Sequence, residues 1–149
     1  MKKIIFALSV VLLFTLSSCD KDPSPGDNWD LSNSLPPYVA LSSTAAKTVK
    51  QGTSTTVTFQ MRTAMQQTVT VTYDVTGAVN LANQTVVFDR EKISVNATVN
   101  IPNNVIVPPA TTATATLTLT KAVTADGKQL TIGSKNNPTT QKVTLNIIP

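Results

Sequence analysis

Residues 67–76 read QTVTVTYDVT, and apolar side chains alternate with polar ones through most of this stretch. The apolar set is Val69, Val71, Tyr73 and Val75, and the polar set is Thr70, Thr72, Asp74 and Thr76. A period of two indicates a half-buried strand, because successive side chains of a strand point to opposite faces. Thr is β-branched and carries a hydroxyl, so it suits the wet face of a pleated sheet. The stretch therefore predicts a strand with one dry face and one wet face.

The same alternation continues in both directions along the chain. It recurs in TSTTVTFQMR (53–62), KISVNATVNIP (92–102), TTATATLTLTK (111–121) and QKVTLNII (141–148). Shorter candidates are YVALSS (38–43), residues 47–49 and TVVF (85–88). Clean alternation favours antiparallel sheets that pack on one face only. We predict an all-β chain, an immunoglobulin-like antiparallel sandwich of about seven to eight strands. The residues expected to point inward in 92–102 are Ile93, Val95, Ala97, Val99 and Ile101.

The start of the chain has the layout of an export signal. Lys2 and Lys3 precede an apolar run, Ile4–Phe14, and small residues follow it. This layout is typical of a secretory signal peptide, and the run is shorter than the about 20 residues that span a bilayer. We predict a signal peptide over 1–18, a tether over 19–37 and the sandwich domain over 38–149.

Cys19 is the single cysteine of the chain, and it ends the signal region. Leu16-Ser17-Ser18-Cys19 resembles the bacterial lipobox. The resemblance implies cleavage before Cys19 and acyl chains such as palmitate on its thiol and on the new amino terminus. Two or more chains would hold the protein stably on a membrane, whereas one chain binds only marginally. The alternative is an ordinary secreted protein with an incidental cysteine. No cofactor is predicted besides this covalent lipid.

The tether is rich in Asp, Ser, Asn and Pro, which favours extended conformations. Asp20, Lys21 and Asp22 resemble the charged cluster that follows the cysteine in Bacteroidota lipoproteins, where it is linked to export to the cell surface. A solvated linker with chance charges is the alternative. Trp29 suits three placements: under the domain, at a lipid interface, or against a partner.

The order of strands from 38 to 148 resembles a Calx-beta-type domain, one of the immunoglobulin-like sandwiches. The resemblance is carried by VKQGTSTTVTFQMR, QTVTVTYDVTGA, a strand ending in NIPNNV, ATLTLTKAV and KVTLNI. Calcium-binding members gather several acidic residues at one end of the sandwich. Here the domain has only four, Asp74, Asp89, Glu91 and Asp126. A calcium ion needs about six to eight oxygen ligands, so no metal site is predicted.

Composition argues against catalysis. The chain has no His, and its one thiol is expected to be acylated. Ser-His-Asp chemistry is therefore excluded, and five Gly form no phosphate cradle. A mechanism with paired carboxylates would need two of the four domain acids to converge. We predict that the protein is not an enzyme.

The net charge is +4 and the isoelectric point is about 9.4. The cations are scattered and have few aromatic neighbours, so no nucleic-acid partner is predicted. Glycan binding stays an alternative without support, because the domain has few aromatic residues to form a platform.

These observations favour a lipid-anchored interaction module. We predict an accessory subunit of an outer-membrane complex for secretion, assembly or nutrient uptake, on the cell surface rather than the periplasmic face. The alternative is a standalone surface lipoprotein that binds a glycan or a host ligand. Lys142–Ile148, the last strand, is predicted to be an open sheet edge that could recruit a partner strand.

Overall fold

The computed structural model describes residues 36–133 and 141–149. The predicted signal peptide and most of the predicted tether lie outside these residues, as do Cys19, Asp20, Lys21, Asp22 and Trp29. The described residues form nine strands. In chain order they are β1 (Tyr38–Leu41), β2 (Lys47–Lys50), β3 (Ser54–Met61), β4 (Val69–Gly77), β5 (Leu81–Phe88), β6 (Ser94–Asn100), β7 (Ala113–Thr124), β8 (Thr131–Ile132) and β9 (Lys142–Ile148).

The strands form two sheets that pack as a sandwich, which confirms the predicted fold class. The first sheet has the order β6-β3-β1-β8, and the second has the order β2-β9-β7-β4-β5. Neighbouring strands are antiparallel except in two pairs, β1 with β8 and β2 with β9. Within the described ranges, no helix has both the length and the apolar composition to cross a membrane.

The core lies between the sheets and is built from the inward sets of the alternating strands. Phe59 on β3 is fully buried and its ring lies 5.5 Å from that of Tyr73 on β4, so the two rings join the sheets. Burying one large apolar side chain contributes about 1.5–3 kcal/mol. The largest fully buried side chains are Phe59, Phe88, Leu41, Leu117, Leu119, Leu145 and Ile147.

The alternation of β7 changes phase near its end. Thr72 of β4 pairs with Lys121 of β7, whereas the next residue, Tyr73, pairs with Leu119. Thr120 is therefore an extra residue, and its hydroxyl donates to the Thr72 carbonyl at 3.0 Å. This bulge lets Leu119 and Ala122, three residues apart, both point inward.

The predicted open edge at β9 is wrong. β9 lies in the interior of the second sheet, with β7 on one side and β2 on the other. The chain leaves the first sheet after β1 and joins the second as β2, which pairs along Leu145–Ile148. The last of the described strands in chain order is therefore an interior strand of its sheet.

Ile93 is also placed differently from the prediction. It precedes β6, and 54% of its side chain is exposed. Its carbonyl still accepts a hydrogen bond from Met61 at 2.9 Å, so the backbone continues the strand while the side chain projects past the core.

Candidate functional site

A shallow depression lies on the second sheet where β4 and β5 part. Its volume is about 210 Å³. The depression forms because the pairing slips: Tyr73 faces Gln84, but Val75 faces Leu81. One residue of β4 thus opposes two of β5, and Asn83 takes a left-handed backbone with φ 54°. The lining residues are Asp74, Val75, Thr76, Asn80, Leu81 and Ala82.

Asp74 holds this bulge together. Its Oδ1 accepts a hydrogen bond from the Asn83 N–H at 2.7 Å, a donor that the slipped pairing leaves without a ladder partner. The side chain is half-buried on the outer side of β4, as the alternation predicted. The Asp74 carboxylate therefore has a structural role, since one of its oxygens is occupied by the Asn83 N–H.

The β4–β5 turn is fixed by a reciprocal pair of hydrogen bonds. The Gly77 N–H donates to Asn80 Oδ1 at 3.3 Å, and Asn80 Nδ2 donates to the Gly77 carbonyl at 3.2 Å. Gly77 has φ 112°, and a Cβ there would lie 2.7 Å from the Thr114 carbonyl oxygen. The position therefore requires glycine for both conformation and space.

Asp126 also has a structural role, in the tight turn after β7. The Thr124 hydroxyl and the Lys128 N–H both donate to its carboxylate. Hydrogen bonds from Thr124, from the Lys128 backbone and from the Gln67 side chain hold the pKa of Asp126 below its ordinary value. Asp126 lies directly before Gly127, whose φ of 87° fits the tight turn.

Tyr73 is a titratable residue that belongs to the buried core. Burial raises the pKa of its phenol above the ordinary value, because the low-dielectric interior disfavours the phenolate. It faces inward as predicted and packs on Phe59 rather than lining the depression.

The four domain acids do not converge. Asp74 lies at the bulge and Asp126 in the turn after β7, while Asp89 and Glu91 lie in the connector from β5 to β6. Within residues 36–133 and 141–149, no group of three or more His, Cys, Asp or Glu side chains could hold a metal ion. The depression is thus lined by one engaged carboxylate, by the polar residues Thr76 and Asn80, and by apolar side chains.

The bulge is not among the features that the sequence pattern predicts. Only 85–88 was predicted as a strand, because Leu81-Ala82-Asn83-Gln84 breaks the alternation. That break was itself the signal, since an extra residue shifts the period and Asn tolerates a left-handed backbone.

Comparisons with known proteins support the fold. No protein-family model matches the sequence, and no curated protein matches it either. Among solved structures, the apo form of the Calx CBD1 domain matches with a TM-score of 0.55 and 9% identity. The match covers 76% of this chain and 96% of that domain. It confirms the predicted Calx-beta-like, immunoglobulin-like sandwich, and at this identity it shows the fold alone.

Proposed function

We propose that the protein is a non-catalytic interaction module, held on the outer membrane by lipid at Cys19. In this proposal it serves as an accessory subunit of an outer-membrane complex for secretion, assembly or nutrient uptake. The observation that carries the proposal is that two of the four domain acids have structural roles. Asp74 and Asp126 hold a bulge and a turn together, and within residues 36–133 and 141–149 no three acids gather in a group that could hold a metal ion.

The anchor part of the proposal rests on the sequence. Leu16-Ser17-Ser18-Cys19 supplies the lipobox pattern of a bacterial lipoprotein, and the acidic, Pro-rich tether would lift the domain off the membrane. Asp20, Lys21 and Asp22 favour the cell surface, in the manner of Bacteroidota lipoproteins. Labelling with a palmitate analogue tests the anchor, and Cys19→Ser should lose the label completely.

The subunit part is tested by co-purification. Pro149 is exposed and follows β9, so a tag added after it leaves the strand pairing intact. We expect the tagged chain, extracted from native outer membranes in mild detergent, to bring down one large membrane protein in near-equal amount. Cys19→Ser is the control for mere co-extraction, and a soluble chain should still capture the same protein from detergent extract.

Trp29 gives a sharper version of the same experiment. If the indole contacts the partner, Trp29→Ala should reduce recovery of the partner about tenfold or more, since buried aromatic anchors dominate interfaces. Trp29→Phe keeps an aromatic ring and should retain most of the recovery. A chain that purifies alone after crosslinking in cells contradicts the subunit proposal and favours a standalone binder of glycan or host ligand.

Surface display needs its own measurement. Protease added to intact cells should degrade the wild-type chain but spare a variant in which Asp20, Lys21 and Asp22 are all replaced by Ser. Equal protection of both chains would contradict the export role of this cluster.

A further inference from the structure

Among the described strands the two sheets have four edges, and three of them carry features that hinder pairing with another strand. β8 has only two residues. β2 has four residues and a lysine at each end, Lys47 and Lys50. β5 is interrupted by the bulge at Asn83. Short length, lysines and bulges are the devices that protect sheet edges from other chains.

β6 has none of these devices. Its seven residues read SVNATVN and contain no charge, no proline and no bulge. Within residues 36–133 and 141–149, β3 is its one ladder partner, so its other side is an open edge.

The hydrogen bonds at both ends of β6 show which backbone groups face this open edge. The Met61 N–H donates to the Ile93 carbonyl at 2.9 Å, and the Ile101 N–H donates to the Thr53 carbonyl at 2.8 Å. In an antiparallel pair such contacts recur at every second residue. Residues 93, 95, 97, 99 and 101 therefore direct their backbone groups to β3. The backbone N–H and C=O groups that face away belong to Ser94, Asn96, Thr98 and Asn100.

We propose that this edge pairs antiparallel with β6 of a second copy of the chain, about a two-fold axis at Ala97. In that register Asn96 faces Thr98 of the second copy, and Ser94 faces its Asn100. All four outward-facing residues then form hydrogen-bonded pairs, and the strands overlap along their full length. The facing side chains are uncharged, so no like charges meet across the axis.

Ile93 supports the choice of a second copy as the occupant. The same register places it opposite Ile101 of the second copy, a residue that is itself almost fully buried. It places the half-buried Val95 opposite Val99. An isoleucine that is 54% exposed in the single chain would thus be covered by the apolar inner rim of its copy. The symmetric pairing satisfies polar and apolar groups together, as an isologous interface must.

The experiment measures the mass of the purified full chain in density-matched detergent, under reducing conditions, by sedimentation equilibrium. We expect the wild-type chain to have twice the mass of one chain. Thr98→Pro should reduce this to a single mass, because it removes an N–H that points to the open edge and none that points to β3. Proline is tolerated at such edge positions, so the domain should stay folded.

Thr85→Pro on β5 is the matched control. Even-numbered residues of β4 face β7, as the bonds from the Ala125 N–H to the Thr68 carbonyl and from the Ala78 N–H to the Thr114 carbonyl show. The odd-numbered residues of β4 therefore direct their backbone groups to β5. Their partners on β5, among them Gln84 and Val86, direct theirs to β4, so the backbone groups of Thr85 face the open edge. Thr85→Pro makes the same chemical change at a protected edge and should leave the double mass unchanged.

A single mass for the wild-type chain, or a double mass that survives Thr98→Pro, would overturn the proposal. If Thr98→Pro lowers the melting temperature, Thr98→Lys is used in its place. The lysine variant keeps the backbone N–H but places one cation from each copy near the two-fold axis, so it should also give the mass of one chain. The measurement uses the chain without any partner, so its result is independent of the co-purification test of the proposed function.

Discussion

β5 and β6 follow one another in the chain, have similar lengths and each pair with one neighbour among the described strands, yet they differ as edges. β5 bends around Asn83, and the freed N–H is bound by Asp74 within the same chain. β6 keeps a regular ladder with β3 from end to end and leaves a straight row of polar backbone groups. The difference teaches that one extra residue, visible as a break in the alternation at residues 81–84, can hinder the pairing of an edge with other chains.

The largest expected effect tests what holds β5 in place. Phe88→Ala should lower the free energy of unfolding by about 3–5 kcal/mol, because the ring is fully buried at the end of the strand. Val87→Ala is the matched control, since that side chain is 44% exposed and should change stability by about 0.5 kcal/mol or less. Urea unfolding measures both, and equal losses would mean that β5 is not anchored by its inward residue.

The turn that leads into the bulge gives the next effect. Gly77→Ala should cost about 1–3 kcal/mol, because it combines a positive φ with a Cβ that would lie 2.7 Å from the Thr114 carbonyl oxygen. Gly127→Ala is the control for conformation alone, since φ is 87° there and no atom lies within 4 Å of the added Cβ. Thermal unfolding should rank Gly77→Ala as clearly the worse of the two, and the reverse order would contradict the close approach.

Asp74 tests whether the bulge needs its acceptor. Asp74→Ala should cost about 1–2 kcal/mol, because the Asn83 N–H loses its partner, whereas Asp74→Asn keeps an acceptor oxygen and should cost less. Hydrogen exchange of the Asn83 amide is the direct measurement. Exchange that is as slow in Asp74→Ala as in the wild type would show that another group binds this N–H.

The smallest effect concerns pH. The pKa of Asp126 is lower in the folded chain than in the unfolded one, so its contribution is present above the ordinary aspartate pKa of about 3.9. It is lost as the pH falls through the folded pKa. Stability should therefore decrease with acidification below about pH 4, and Asp126→Asn should flatten this decrease. If the stability of the variant falls with acidification as steeply as that of the wild type, the hydrogen bonds from Thr124 and Lys128 do not stabilise the ionised carboxylate.

The fold class was predictable because it depends on the alternation of apolar and polar residues within each strand. The alternation lies in adjacent residues within 69–76 and 111–121. Each strand's own sequence therefore shows which side chains point inward. The same alternation accounts for the inward placement of Tyr73 and of Phe59. The Calx-beta-like arrangement followed from the order of these strands.

The parts that were missed depend on pairing between distant residues. Whether β9 is an edge is decided by β2, which lies almost a whole domain earlier in the chain. Whether Ile93 is buried depends on where the opposite sheet ends, and no local period reports this. The bulge at Asn83 was visible as a broken alternation, but its acceptor, Asp74, belongs to another strand. The candidate site was therefore predictable only as a list of scattered acids.

The interior position of β9 has a consequence for the order in which the molecule is built. β9 is synthesised after the other eight strands that the structure describes, and its Val143, Leu145 and Ile147 are buried in the middle of the second sheet. Before β9 is present, β2 and β7 have no strand between them to pair with, and the second sheet is incomplete. Contacts that join such distant parts of a chain form slowly. The second sheet is therefore complete only after β9 has been synthesised and has paired with β2 and β7.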